Sequence, residues 1–327
     1  MVLKSAPHID PQTMYNRRKV RSVRSLLKLF VPRLLLDILQ IMRIRKGLSK
    51  TSGLLSAAPI LRTITKPAIT ILFYPKRPGA AYISAKLCAL LGYAGTENRN
   101  RRFDVAFKRQ DRVNIDPSIV DPEYLGKADI INSRRCNTNK RYIDQVSQKV
   151  LGYSVMVDPT RHEGDAVEKS DKNATHDGRI VSCPISATQI DPNSVYQKVI
   201  DNRVSSNLVM DYRIPVHGGR IPLVYKKYRP IEIRFLNQNS LVEIDDFDSI
   251  FDDQEREKIH TFCYLMGLDY AELDVLRNSD GRICIIDANC TPYGPPKGLA
   301  DSLAKICMER LASSFESLVQ AHVLKVK

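Results

Sequence analysis

The hydrophobic pattern changes from strand-like to helix-like several times along the chain. The run AITILFYP (68–75) is rich in β-branched and aromatic residues, which is typical of a strand, and GAAYISAKLCALLGY (79–93) has the spacing of a helix that ends near Gly92. FDVAFKR (103–109) and ADIIN (128–132) predict two further strands. This alternation predicts a small α/β unit.

A second unit with the same alternation is predicted from residue 137 onward. NTNKRYIDQVSQKVLGY (137–153) predicts its first helix, and LADSLAKICMERLASSFESLVQAHVL (299–324) predicts a long closing helix. Strand-like runs lie between these helices, at 165–185, 194–201 and 208–230. The pattern therefore predicts an α+β protein in three parts: an N-terminal arm (1–66), a small α/β domain (67–136) and a larger α+β domain (137–327).

The arm contains an amphipathic and strongly basic stretch. In SLLKLFVPRLLLDILQIMRIRKGL (25–48) apolar residues recur at three- and four-residue steps, as on a helix, but charged residues interrupt them and argue against a membrane-spanning helix. The first fifty residues hold twelve Lys and Arg against two Asp, so most of the chain's net charge of +14 lies there. Three interpretations stay open: a helix packed on the body, an anionic membrane surface bound through residues 17–48, and nucleic acid, which is the least favoured.

Composition narrows the class of protein. A hydrophobic content of 43% with 26% charged residues is typical of a globular chain. Neither a C-x-x-C pair nor a Cys/His cluster at zinc spacing occurs, and no secretory signal opens the sequence, so we expect reduced thiols and a cytoplasmic protein, with the arm as a candidate contact to the inner membrane surface. The seven cysteines are Cys88, Cys136, Cys183, Cys263, Cys284, Cys290 and Cys307.

Acidic residues gather in a predicted β-hairpin near the C-terminus. YAELDVLR (270–277) and RICIIDANC (282–290) are strand-like runs, and Asp280-Gly281 between them predicts a two-residue turn. With that turn, Asp274 lies directly opposite Asp287. Because side chains alternate between the faces of a strand, Glu272 and Asn289 share their face.

Opposed carboxylates repel each other, and burial among apolar neighbours raises the cost further. A bound cation would remove this conflict. Carboxylate and amide oxygens suit Mg²⁺ or Mn²⁺ better than zinc, and Mg²⁺ commonly takes its remaining ligands from water and nucleotide phosphates. The hairpin therefore predicts a metal and nucleotide site, although a solvent-facing hairpin whose acids keep the edge soluble also fits the spacing.

The hairpin also resembles a known motif. A strand Asp, a turn and then Asp-x-Asn followed by Thr-Pro is similar to the metal-binding hairpin of the ATP-grasp superfamily, in particular its glutamate-ligase and D-alanine-ligase branches. The matching positions are Asp274, Asp287 and Asn289, with Thr291-Pro292 after them. The resemblance extends more weakly over residues 128–300. It implies an ATP-grasp fold, in which two α+β subdomains within 137–327 clamp ATP with two Mg²⁺, preceded by a pre-ATP-grasp domain.

The resemblance implies further nucleotide contacts. Lys169, in AVEKS, resembles the family's strand lysine and Lys140 the lysine before the preceding helix; both would contact phosphate. The segment VYQKVID resembles the hinge that holds the adenine. The remaining implied contacts are Gln197, Lys198 and Ile200 for the adenine, Asp201 for the ribose and His176 for a phosphate. One departure is the loop SDKNATHDG (170–178), which has a single Gly where the family's loop is rich in Gly.

The activity implied is ATP-dependent ligation. Transfer of the γ-phosphoryl group to a carboxylate of a small molecule or peptide would give an acyl phosphate, which an amine then attacks. Arg213, with Lys227 and Arg229, would stabilise developing charge, and Tyr293 and Lys297 in TPYGPPKG would line the substrate. A small-molecule kinase and a non-catalytic nucleotide-binding protein remain alternatives, and the oligomeric state stays open.

Overall fold

The computed structural model describes residues 68–109, 129–134, 137–171, 177–236 and 238–324. The N-terminal arm, with its candidate membrane-binding stretch, and His176 lie outside these residues. No helix in the described ranges combines the length and apolar character needed to cross a bilayer.

Strands and short to long helices follow one another along these ranges. The strands are β1 (Thr70–Pro75), β2 (Ala94–Thr96), β3 (Val105–Arg109), β4 (Ile130–Ile131), β5 (Gly164–Ser170), β6 (Arg179–Cys183), β7 (Ser194–Lys198), β8 (Arg203–Ser205), β9 (Leu208–His217), β10 (Val224–Pro230), β11 (Leu241–Asp245), β12 (Tyr270–Arg277) and β13 (Ile283–Asn289). The helices are α1 (Ile83–Leu91), α2 (Lys140–Leu151), α3 (Phe247–Ile250), α4 (Asp253–Met266) and α5 (Asp301–Leu324).

The first sheet is parallel, with strand order β2-β1-β3-β4. Its central strands are buried along most of their length, as expected for strands made of continuous apolar runs. Helix α1 ends at Gly92, whose φ of 68° is a left-handed conformation that glycine adopts at little cost. Because parallel strands end at the same edge, Pro75 and Arg109 lie side by side at the carboxyl edge.

The largest sheet is antiparallel, with strand order β11-β10-β9-β12-β13 and β8 added to β9. One face packs against α2 and α4 through residues such as Ile214, Val224 and Leu273. Since side chains alternate along a strand, the neighbouring positions point to the opposite face. Part of that opposite face is apolar and shares a core with α5 and the first sheet. The rest carries the charged residues of the candidate site.

A third sheet, of three antiparallel strands in the order β6-β5-β7, completes the architecture. The α+β class predicted from the hydrophobic pattern is confirmed. The predicted strands and helices appear close to their expected bounds, and Tyr270–Arg277 matches its run residue for residue. Helix α4 and strand β11 were missed, although Asp252 and Glu255 form a capping box at the start of α4 and Gly267 caps its end.

Candidate active site

Asp274 pairs with Asp287 in the acidic hairpin as predicted, but the turn between the strands differs from the predicted one. The turn is not the two-residue Asp280-Gly281 turn predicted: the Asn278 N–H donates to Arg282 O at 2.9 Å, and the turn holds three residues that end at Gly281, with φ of 81°. This turn shifts the pairing by one residue. Ile286 then has no partner on β12, because Val275 pairs with Ile285 while Asp274 pairs with Asp287. The bulge at Ile286 cancels the shift.

Asp274 lies at the centre of a buried cluster of charges. Its carboxylate is 3.0 Å from Lys227 Nζ on β10 and 3.2 Å from Arg213 Nε on β9. The same Arg213 nitrogen lies 3.3 Å from Glu272 Oε2, and Glu272 has 3% of its surface exposed. Strand register causes this contact, since Asp274 pairs with Arg213 on one side and with Asp287 on the other. The sheet thus brings together residues more than sixty positions apart.

The carboxylates of this cluster differ in proton affinity. Burial favours the neutral form of Asp274, but the charges of Arg213 and Lys227 outweigh it and hold the pKa of that carboxyl well below its usual range. Burial raises the pKa of Glu272 to about 7, with Asp274 adding to the rise against the opposing charge of Arg213. Burial, together with Asp274, also raises the pKa of Asp287. Asp274 therefore carries the most firmly held negative charge of the three.

Two lysines approach the acids from other elements. Lys169 extends from β5 of the three-stranded sheet, and Lys140 is the first residue of α2, which is capped by the side chain of Asn139. Burial, together with the nearby charge of Lys140, lowers the pKa of Lys169 to about 8, while Asp287 acts in the opposite sense. Burial likewise lowers the pKa of Lys140. The ammonium groups of Lys140 and Lys169 therefore lie close to each other and to the carboxylate of Asp287.

The predicted metal ligands offer oxygen atoms on one face of the hairpin. Oδ1 of Asp287 is buried and has no hydrogen-bond partner among the described residues. Asn289 Oδ1 accepts from the Thr291 N–H at 2.8 Å, which fixes the amide, and both Asp274 oxygens contact cationic side chains. The described residues contain no group of three or more His, Cys, Asp or Glu in metal-binding geometry. Two carboxylates and an amide still fit Mg²⁺ that takes its other ligands from phosphate and water.

Arg229 was predicted to act together with Arg213 and Lys227, but it pairs with a different carboxylate from theirs. It lies on the same face of β10 as Lys227, but its guanidinium contacts Asp211 at 2.8 Å and donates to the backbone oxygens of Arg234 and Leu236. Sequence reasoning missed Asp211. A signal existed, because Asp211 precedes Arg213 by two residues and therefore shares its face of β9.

The predicted adenine hinge forms strand β7 and the residues after it. Gln197 is buried, the backbone N–H of Lys198 donates to Val155 O at 2.8 Å, and Ile200 packs beside an apolar cluster that includes Leu276 and Cys284. The hinge thus lies against the hairpin that carries the acids.

Asp201, the predicted ribose contact, makes two hydrogen bonds with Arg203, each 2.7 Å long, at the surface. The structure therefore places it in a local ion pair rather than in the acidic cluster. His176, the predicted phosphate contact, lies in the loop that the structure leaves undescribed.

Comparisons with known proteins give structural likeness without sequence matches. The sequence matches no family model and no curated protein. Several of the solved structures similar to this fold are described as ATP-grasp ligases or ATP-grasp domain proteins, the superfamily that the hairpin resembles. A RimK domain protein ATP-grasp from Sphaerobacter thermophilus is 13% identical, with a TM-score of 0.47 over 77% of this chain and 99% of that chain.

Two ligases solved in complex with a precursor or peptide are also similar in structure. A RiPP-associated ATP-grasp ligase from Chryseobacterium gregarium, in complex with ADP and a leader and core peptide, is 11% identical, with a TM-score of 0.45 over 77% of this chain and 97% of that chain. The ATP-grasp ligase PsnB, complexed with minimal precursor, is 16% identical, with a TM-score of 0.37 over 55% of this chain. In that comparison this chain spans 64% of the length of PsnB.

Proposed function

We propose that this chain is an ATP-dependent ligase of the ATP-grasp type, which activates a substrate carboxylate as an acyl phosphate for attack by an amine. One observation carries the proposal: Lys140 and Lys169, which come from separate elements, lie near enough to the acid pair Asp274 and Asp287 for their charges to interact. Acids on one side and ammonium groups on the other suit a metal-bound triphosphate, whose phosphates need both.

The nucleotide would lie between the three-stranded sheet and the acidic hairpin. Its adenine would pack against the apolar surface of Ile200 and Leu276, close to the backbone of the Gln197-Lys198 hinge. Its phosphates would contact Lys140 and Lys169. Magnesium, or manganese, held by Asp274, Asp287 and Asn289 would neutralise phosphate charge when bound.

In the first step a carboxylate oxygen of the substrate would attack the γ-phosphorus, and the bond from that phosphorus to the bridging oxygen would break with release of ADP. Arg213 and Lys227 would stabilise the charge on the transferred group, since their partner Asp274 fixes their orientation.

In the second step the amine nitrogen would bond to the acyl carbon, and inorganic phosphate would leave with the electrons of the carbon–oxygen bond. The proton lost from the amine needs an acceptor. Glu272, whose carboxylate lies beside the Arg213–Asp274 pair, would be the acceptor.

Binding of Mg-ATP tests the site directly. We expect saturating Mg-ATP to raise the melting temperature of the wild-type protein by about 5–10 °C, whereas an Asp287→Ala variant should show little rise because the nucleotide-bound metal loses a ligand. Asp280→Ala, in the exposed turn of the same hairpin, is the matched control and should respond like the wild type. Equal stabilisation of the Asp287→Ala variant would refute the proposed metal role.

Product analysis separates ligation from the alternatives. ADP release that requires a carboxylate and an amine together supports a ligase, and release with an alcohol alone would identify a kinase instead. Nucleotide binding without turnover under every condition would indicate a binding protein.

A further inference from the structure

Arg109 is a buried cation that lies outside the cluster around Asp274. It ends strand β3 at the carboxyl edge of the first sheet and has 8% of its surface exposed. Its Cζ lies 3.8 Å from the centroid of the Tyr82 ring, which places the guanidinium over the aromatic face. Its Nε and Nη2 have no hydrogen-bond partner among the residues that the structure describes.

Two other arginines among the described residues pair with carboxylates. Arg213 contacts Asp274 and Glu272, and Arg229 contacts Asp211. A guanidinium stays protonated at any ordinary pH, so it cannot escape the cost of burial by losing its proton. A buried cation that has no carboxylate partner among the described residues keeps part of its desolvation cost uncompensated. Nε and Nη2 of Arg109 are therefore available to donate hydrogen bonds to an anionic ligand.

A short segment joins Arg109 to the metal hairpin. We call residues 291–294 the strap. It begins two residues after Asn289, and its Thr291 N–H donates to Asn289 Oδ1. Its next residues contact the region of α1: Pro292 O accepts from the Ile83 N–H at 3.1 Å, and Gly294 O accepts from Lys86 Nζ. Between them, the Tyr293 ring stacks on Tyr82 with centroids 4.3 Å apart. Arg109, Tyr82 and Tyr293 thus form one stack.

The length of the strap limits the size of the substrate. Four peptide steps separate Asn289 from Tyr293, and an extended chain covers at most about 14 Å over that length. Glu272 lies between the two regions, because a methyl group placed at Gly294 would be 3.9 Å from its Oε1 and 3.8 Å from Ile83 Cδ1. Arg109 and the metal hairpin are thus joined by a few residues of chain, a span on the scale of an amino acid or a short peptide.

Resting on the proposed ligase function, we propose that Arg109 binds a carboxylate of the substrate that is not the one phosphorylated. A carboxylate held by the forked guanidinium has its oxygen lone pairs engaged and is a poor nucleophile toward phosphorus. The reacting group therefore has to be a second one, placed at the Asp274 cluster. The substrate class that follows is an acidic amino acid or a short peptide with a free carboxylate in addition to its reacting group. Tyr293, at the end of this stack, is 57% exposed.

Carboxylate-induced stabilisation of the full-length chain tests this inference. The probes are L-glutamate, succinate and L-alanyl-L-glutamate at millimolar concentration, each added with Mg-ADP present, and succinamide is the uncharged comparison. We expect at least one carboxylate to raise the wild-type melting temperature by about 2–4 °C and succinamide to leave it unchanged. An Arg109→Met variant should bind the same carboxylate about tenfold more weakly or worse, because it loses a charge-assisted pair.

Two further variants keep the outcome interpretable. Arg310→Met removes an arginine that pairs with Asp246 at the surface, and it should respond to carboxylates like the wild type. Arg109→Lys keeps the charge without the fork and should bind with intermediate affinity. The free Arg109→Met protein should melt at or above the wild-type temperature, because an unpaired buried charge is gone; a large fall would show that Arg109 serves the fold instead.

The inference and the proposed function fail in different ways. Equal carboxylate stabilisation of the wild type and Arg109→Met, or none in the wild type, overturns the role of Arg109 while leaving the response to Mg-ADP intact. Absence of a response to Mg-ADP in the wild type overturns the proposed nucleotide site itself. Retained Mg-ADP binding in Arg109→Met together with lost carboxylate binding supports both.

Discussion

At the scale of single residues, Lys169 shows how burial prepares a side chain for an anionic ligand. Its pKa falls from an ordinary value of 10.5 to about 8, mainly because burial disfavours the charged ammonium and also because Lys140 is near. The unfolded chain therefore binds the proton more tightly than the folded protein. The charged form destabilises the free protein fully below pH 8, and this cost disappears as pH rises from about 8 to above 10.5.

Nucleotide affinity should depend on the charge of Lys169. Above about pH 8 the lysine must take up a proton before it can pair with phosphate, so the Kd of Mg-ADP should rise by up to about tenfold per pH unit. Calorimetric titration between about pH 7 and about pH 9.5 measures the slope. The Lys169→Arg variant stays protonated throughout and should show a flatter profile. The same slope in both proteins would assign the pH dependence to another group.

At the scale of elements, the acidic hairpin depends on two irregularities that compensate each other. The three-residue turn shifts the strands by one position, and the unpaired Ile286 shifts them back. Without the second irregularity Asp287 would pair with Leu273 and would point into the core between the sheet and α2. The bulge thus decides which face receives Asp287 and Asn289.

Deletion of a paired residue of β13 should abolish the site. We expect deletion of Ala288 to bring Asn289 opposite Leu273 and into the core between the sheet and α2, so that thermal stabilisation by Mg-ATP is lost and the free protein is destabilised by about 2–4 kcal/mol, as measured by urea unfolding. Deletion of Ile286 is the matched control, since it removes only the unpaired residue and leaves Asp287 opposite Asp274. That variant should keep nucleotide binding. Equal loss in both deletions would argue that any shortening of the hairpin disrupts the fold.

At the scale of the whole molecule, Asn132 joins the first sheet to the large sheet. It is fully buried, with φ of 62°, and its Oδ1 accepts from the N–H groups of Asp269 and Tyr270 at 2.8 Å each. Its Nδ2 donates to Tyr270 O, and its own N–H donates to Asp269 Oδ2 at 2.7 Å. The aromatic rings of Phe107, Tyr270 and Phe315 pack in the same region. The position of Arg109 relative to the acidic hairpin depends on this junction.

Loss of the Asn132 side chain should weaken the junction strongly. We expect Asn132→Ala to lower the free energy of unfolding by about 2–5 kcal/mol, because two N–H groups and one carbonyl remain buried without partners and alanine tolerates the positive φ poorly. Asn98→Ala, which removes an exposed turn contact to the Asn100 N–H, should cost less than about 1 kcal/mol. Denaturant unfolding of both variants makes the comparison, and a small loss at Asn132 would contradict this role.

The sequence predicted most of the regular structure and part of the site. Alternating and continuous apolar runs are local signals, and for that reason strands such as β12 appear where the pattern places them. Arg213 and Lys227 were named through resemblance, and the sheet brings both to Asp274. The partner of Arg229 was missed. Strand parity places Asp211 on the same face as Arg213, but only the pairing of β9 with β10 shows that Arg229 lies near it.

The amino-acid order by itself determined which residues can carry the chemistry, since residue type and strand parity follow from it directly. Only the tertiary structure decided how those residues meet. The face of Asp287 depends on a bulge at Ile286 that no turn signal indicates. Likewise, Nε and Nη2 of Arg109 lack a partner among the described residues because of which groups other elements bring near. The physical reason is that strand pairing, burial and charge compensation are non-local: each depends on residues far apart in the chain.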